Sequence, residues 1–145
     1  MNAIKKIIEK ASTLNGTIVL PEGMDARVIT AACSCVDRKI CTPIVLGTPQ
    51  EIADAEAKAG LSLAERGIRT IDYTQGDAEL EAAYLEAWNA KESRKPAEKQ
   101  KIIDLAGAQK TLRTKRIYFG GMMVKLGRVD GLVAGSIAST GDMGR

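Results

Sequence analysis

Tyr118-Phe119-Gly120-Gly121-Met122-Met123-Val124-Lys125-Leu126-Gly127, then Gly131-Leu132-Val133-Ala134-Gly135, then Ser136-Ile137-Ala138-Ser139-Thr140-Gly141-Asp142 with Arg145 three residues on: this order, within Ile117 to Arg145, decides the fold. The first segment is an apolar helical run that stops at Gly127. The second is a short buried strand that ends at Gly135. The third is a loop of small hydroxyl residues. A helix, a strand and then a Gly/Ser/Thr loop at the strand's C-terminal end is the arrangement in which open α/β sheets bind ligands.

The upstream sequence repeats the same grammar. Ile4, Ile7, Ile8, Ala11 and Leu14 recur at helical spacing and predict an amphipathic helix over 2–14, ended by Asn15-Gly16. Thr17-Ile18-Val19-Leu20 lacks polar alternation, as a strand buried on both faces does. Pro21-Glu22-Gly23 forms the loop after it. Asp25 suits the cap of a helix carrying Ala26, Ile29, Ala32, Cys33 and Val36. Thr42-Pro43-Ile44-Val45-Leu46 reads as the second strand. Thr48 and Pro49 suit the N-cap and first position of a helix that runs to Gly60. Gly67 to Asp72 gives a third, weaker strand. A helix begins near Asp77, and Lys91-Glu92-Ser93-Arg94-Lys95-Pro96 forms a polar hinge too short to separate domains. A further helix is predicted from Pro96 to about Lys110. A helix followed by repeated β-α units predicts an α/β protein with a parallel sheet, helices on both faces and right-handed crossovers.

Composition narrows the function. At 145 residues the chain can bury the core of one domain, and with aromatics at only 3% that core has to be aliphatic. The net charge of +3, with both signs interspersed, gives no case for a nucleic-acid partner. No apolar run approaches the roughly 18 residues of a membrane span, so no membrane partner is expected. The N-terminus lacks the apolar centre of a signal peptide, and the expected location is the cytoplasm. The chain contains no histidine, which excludes Ser-His-Asp and Cys-His catalysis within it. No closely spaced carboxylate set suggests a metal. Cys33, Cys35 and Cys41 are expected as buried or neutral thiols. Neither a Gly-x-x-x-x-Gly-Lys-Ser/Thr nor a Gly-x-Gly-x-x-Gly after the first strand is present, so nucleotide loops of those types gain no support.

The final loop has two readings. Gly135 lets backbone approach a ligand closely, Ser136, Ser139 and Thr140 supply hydroxyls, and Asp142 suits the cap of a helix whose first turn holds Arg145. Exposed N–H groups and a guanidinium there can bind one anion. The same residues also describe a capped turn with a surface arginine. Pro21-Glu22-Gly23 with Arg27 could line the same crevice or form a simple turn. Arg94, Arg113 and Arg116 are spare cations, expected on a solvated face.

The chain resembles the phosphate acetyltransferase (phosphotransacetylase) family in two blocks. The first is Ile18-Val19-Leu20-Pro21-Glu22-Gly23 with Asp25-Ala26-Arg27-Val28 and Ala31-Ala32. The second runs from Tyr118 to Gly127, through Val129-Asp130-Gly131-Leu132-Val133-Ala134-Gly135, to Ser139-Thr140-Gly141-Asp142 and Arg145. Residues of about 75–115 match only loosely. The resemblance implies a three-layer αβα sandwich with a mostly parallel sheet, similar to the isocitrate/isopropylmalate dehydrogenase-like fold. Residues 1–145 would be the N-terminal, incomplete part of the first of two such domains, and the C-terminal remainder of the same protein would complete it.

The activity implied is reversible transfer of an acetyl group between acetyl-CoA and inorganic phosphate, giving acetyl phosphate. No metal or bound cofactor is implied; coenzyme A is a substrate. Arg145 matches the family's active-site arginine, with phosphate binding and transition-state charge stabilisation as its implied roles. Ser139 and Thr140 fall in the matching substrate loop. Arg94 is the candidate for a further arginine in the loosely matching middle. Gly144 departs from the larger apolar residue usual before the arginine. The residues for proton transfer and coenzyme A binding would lie beyond this chain, so this piece alone is expected to be inactive and to need its complement. The family also suggests a homodimer. Phosphate butyryltransferase is the near alternative, against which Leu20-Pro21-Glu22-Gly23 favours acetyl. A non-catalytic acetyl-CoA-responsive domain, as fused to malic enzymes, is the other, against which the start at Met1 with its own helix is expected to count.

Overall fold

The computed structural model describes residues 3–134, and within them ten regular elements follow the β-α order. Helix α1, Ala3–Leu14, turns Ile7 and Ala11 into the core and ends where Asn15 takes a left-handed conformation, φ 45°. Strand β1 is Thr17–Leu20. Helix α2, Ala26–Asp37, starts at Asp25, whose carboxylate accepts from the Arg27 N–H at 2.8 Å. Strand β2 is Thr42–Leu46. Helix α3, Pro49–Ala59, has a reciprocal cap: Thr48 Oγ1 accepts from Glu51 N, and Glu51 Oε1 accepts from Thr48 N. It closes on Gly60 in the left-handed region. Strand β3 is Arg69–Ile71, helix α4 Ala78–Glu92, helix α5 Leu105–Thr114, helix α6 Arg116–Lys125 and strand β4 Gly131–Leu132.

The four strands are parallel, in the order β3-β2-β1-β4. Thr17 sits opposite Thr42, Ile44 opposite Arg69, and Ile18 opposite Gly131. Alternation along the strands sends side chains to opposite faces. Ile18, Leu20 and Val45 pack with Ile7, Ile29 and Ile52 from α1, α2 and α3. Val19, Ile44 and Leu46 pack with Leu80, Leu112, Phe119 and Met123 from α4, α5 and α6. These are the two halves of an αβα sandwich, with the aliphatic core that the composition demands.

The helix expected from Pro96 to Lys110 is not formed as such. A single 3-10 turn, Ala97–Lys99, is followed by irregular chain, and α5 begins only after its cap Asp104. Side chains of α4 hold the intervening backbone out of helical geometry. Trp88 Nε1 donates to Lys101 O at 2.8 Å, and Asn89 both donates to Ile103 O and accepts from Ile103 N at 2.9 Å. Glu92, 2% exposed, accepts from Lys101 N and pairs with Lys95. These contacts tie the polar hinge back onto α4.

Candidate functional site at the C-terminal ends of the strands

In a parallel sheet every strand delivers its following loop to the same edge, and the loops after β1, β2 and β3 are packed there at backbone contact. Gly23 N donates to Leu46 O at 2.9 Å, and Gly47 N donates to Ile71 O at 3.0 Å. A Cβ at position 23 would collide with Leu46 O and lie 2.9 Å from Val45 Cγ1, so the first loop requires glycine there. Glu22 beside it is 3% exposed. On the far side of β1, Val133 N donates to Val19 O at 3.1 Å, carrying the chain past β4 to the same edge. Ser139, Thr140 and Arg145, with Ser136 and Asp142, lie outside the described residues.

Arg116, the first residue of α6, binds the segments that follow β1, β2 and β3 at once. Its Nη2 donates to Glu51 Oε2 and to the Tyr73 hydroxyl, both at 2.7 Å. Its Nη1 donates to Met24 Sδ at 3.0 Å and to Glu51 Oε1 at 3.4 Å. The guanidinium carbon lies 4.8 Å from the centre of the Tyr73 ring, within cation–π range. Met24 follows β1, Glu51 opens the helix after β2, and Tyr73 follows β3. Burial works against the Glu51 carboxylate, yet the hydrogen bonds from Arg116 and from the Thr48 backbone hold its pKa below the ordinary glutamate value. Burial also pushes the Tyr73 phenol up.

The expectation of a solvated face therefore fails for Arg116, whose side chain is 19% exposed. Arg113 keeps a side chain that is 40% exposed, as expected, but it also grips the 2% exposed Glu81 through Nε and Nη2 at 2.7 and 3.2 Å. Neither role had a signal in the sequence, because the partners are 65 and 32 residues away. Arg94 is exposed in the turn after α4, and among the described residues no hydrogen bond or ion pair joins its guanidinium to the Arg116 cluster. Cys33 and Cys35 are buried, and Cys41 is half-buried. Hydrogen bonding between them raises the pKa of Cys41 and lowers that of Cys35. Cys41 lines a surface hollow of about 420 Å³ with Asn15, Thr17, Lys39 and Asp130, at the opposite edge of the sheet from the loops. No described helix is long and apolar enough to cross a membrane.

The family model described as phosphate acetyl/butaryl transferase matches residues 2–145. A phosphate acetyltransferase from Staphylococcus aureus is 36% identical over 142 residues, covering 98% of this chain and 39% of the relative. One from Thermoanaerobacterium thermosaccharolyticum is 38% identical over 143 residues, covering 99% and 40%. Among solved structures, the EutD phosphotransacetylase from S. aureus superposes with a TM-score of 0.73 at 34% identity, covering all of this chain and 42% of that one. A phosphotransacetylase from Streptococcus pyogenes gives 0.71 at 31% identity, covering 99% and 41%. The chain thus spans about two-fifths of the length of the relatives it matches.

Proposed function

The chain belongs to the phosphate acetyl/butyryl transferase family, and from that premise we propose that the protein of which it forms part is a phosphate acetyltransferase. It moves an acetyl group reversibly between acetyl-CoA and inorganic phosphate. The observation that carries the reading is the match along the whole of residues 2–145 to relatives named phosphate acetyltransferase, with the strand-end loops inside the matched region. Those names also favour acetyl over butyryl.

In the forward step a phosphate oxygen attacks the thioester carbonyl, and the carbonyl oxygen takes up negative charge. Collapse expels the coenzyme A thiolate, which takes a proton, and leaves acetyl phosphate. The site must hold one anion beside the thioester and stabilise a second charge as it develops. Arg145 is assigned both tasks, with the Ser139 and Thr140 hydroxyls as further donors to phosphate; Arg94 is retained as a second candidate cation. No metal ligand or bound cofactor enters this scheme. The chain supplies the N-terminal part of the first αβα domain, and the remainder of the protein supplies the groups for proton transfer and coenzyme A. The exposed Ile102, Leu105 and Tyr118 are consistent with further covering contacts. A cytoplasmic homodimer completes the reading.

The test uses the full-length protein and follows coenzyme-A-dependent thioester formation from acetyl phosphate and from butyryl phosphate. Faster turnover of acetyl phosphate is expected. Arg145→Ala should lower kcat about 10²–10³-fold, the usual effect of losing one donor to a developing oxyanion. Preference for butyryl phosphate would select the butyryltransferase, and inactivity on both would refute the reading.

A further inference from the structure

We propose that Arg116 is a positioning residue of the transferase site, one that sets the spacing of the walls formed by the segments after β1, β2 and β3 without touching substrate. This rests on the acetyltransferase reading above. The guanidinium is already committed: Glu51 neutralises it through two contacts, and Tyr73 and Met24 take up further donor capacity. A phosphate would have to displace a 2.7 Å carboxylate contact to reach it.

What Arg116 does reach is one residue from each of the segments that follow β1, β2 and β3: a loop residue, a residue in the first turn of α3, and Tyr73. Without Arg116, the side-chain link between Met24, Glu51 and Tyr73 would be lost, leaving the backbone contacts of Gly23 and Gly47 to join these segments. Glu51 would still cap α3, but its second anchor would be gone. The bidentate, planar geometry matters, since a lysine ammonium cannot reproduce both contacts to Glu51 and stack on Tyr73. The same residue opens α6, whose far end leads into β4 and then to the loop of Ser139, Thr140 and Arg145. Arg116 therefore ties the start of α6, and through it β4, to the segments that follow β1, β2 and β3.

Arg116→Met, Arg116→Lys and Tyr73→Phe in the full-length protein test the idea, with kcat, the KM for phosphate, the melting temperature and amide exchange of residues 21–25, 47–51 and 72–76 as readouts. Arg116→Met should speed exchange in all three segments and raise the KM for phosphate about tenfold, with kcat changed less than about threefold, because misplaced walls weaken ground-state and transition-state binding alike. Arg116→Lys should recover part of the KM effect. A lowered melting temperature with an unchanged KM would mean a purely structural ion pair and would overturn the proposal, as would unchanged exchange in the loops. If Arg116→Met does not fold, Tyr73→Phe decides: a raised KM supports the proposal and an unchanged one overturns it. A wild-type protein that makes no thioester from acetyl phosphate fails at the control, which overturns the acetyltransferase reading itself and this inference with it.

Discussion

Gly23 shows how a single residue can hold two loops together. Its missing Cβ is what allows the backbone after β1 to donate directly to Leu46 O at the end of β2. Gly23→Ala should destabilise the fold by about 1–3 kcal/mol, the usual cost of forcing extra volume against fixed backbone, seen as a lower urea midpoint with an unchanged slope. An unchanged midpoint would mean that the loop has room to shift. The caps at Asp25 and Thr48 were readable beforehand because a cap is a local contact between neighbours two or three residues apart. The roles of Arg113 and Arg116 were not, because long-range ion pairs leave no periodic trace. Of the candidate site, Ser139, Thr140 and Arg145 were legible only as a motif, and the cluster of Met24, Glu51, Tyr73 and Arg116 was visible only once the chain was folded.

At the level of elements, hydrophobic period gave the strands and most helices, and it misled between Pro96 and Lys110. There the local sequence favours helix, but Trp88, Asn89 and Glu92 offer the backbone better partners on the side of α4. Tertiary hydrogen bonds outweighed propensity, as they commonly do for a short segment. Asn89→Ala should therefore cost about 1–3 kcal/mol, because it strands two half-buried backbone groups of Ile103. Its distinguishing sign is faster amide exchange at Ile103 with the amides of β1 and β2 unaffected. Uniform acceleration throughout would instead mean global destabilisation, and the local account would be wrong.

For the whole molecule, acid sensitivity has a definite direction. Hydrogen bonds from Arg128 hold the Asp77 pKa below the usual carboxylate range against the opposing effect of burial, and Glu51 is likewise held low by Arg116 and Thr48 against its own burial. A depressed folded pKa contributes stability that is fully present above the unfolded value, near about 4, and is lost as pH falls through the folded one. The melting temperature should hold nearly level from neutral pH down to about 5 and drop below about 4. Asp77→Asn keeps a side-chain acceptor for the α4 cap but removes the charge facing Arg128, so it should flatten that drop. An equally steep drop in the variant would place the acid-labile groups elsewhere.

The seating of β4 beside β1 also sets the order of assembly. The Thr17 N–H meets the Asp130 carboxylate across 113 positions of chain. Closing a loop of that size in a free chain costs about 4 kcal/mol of entropy. Strands β1, β2 and β3 leave the ribosome with their crossover helices long before β4 does, and they can pair with one another first. Until β4 arrives, β1 presents a bare apolar edge, the kind of template on which nascent chains join one another. The strand that leads into the final loop is also the one that closes this hazard, so slow synthesis or weak docking near residue 131 would appear as aggregation before it appeared as lost activity.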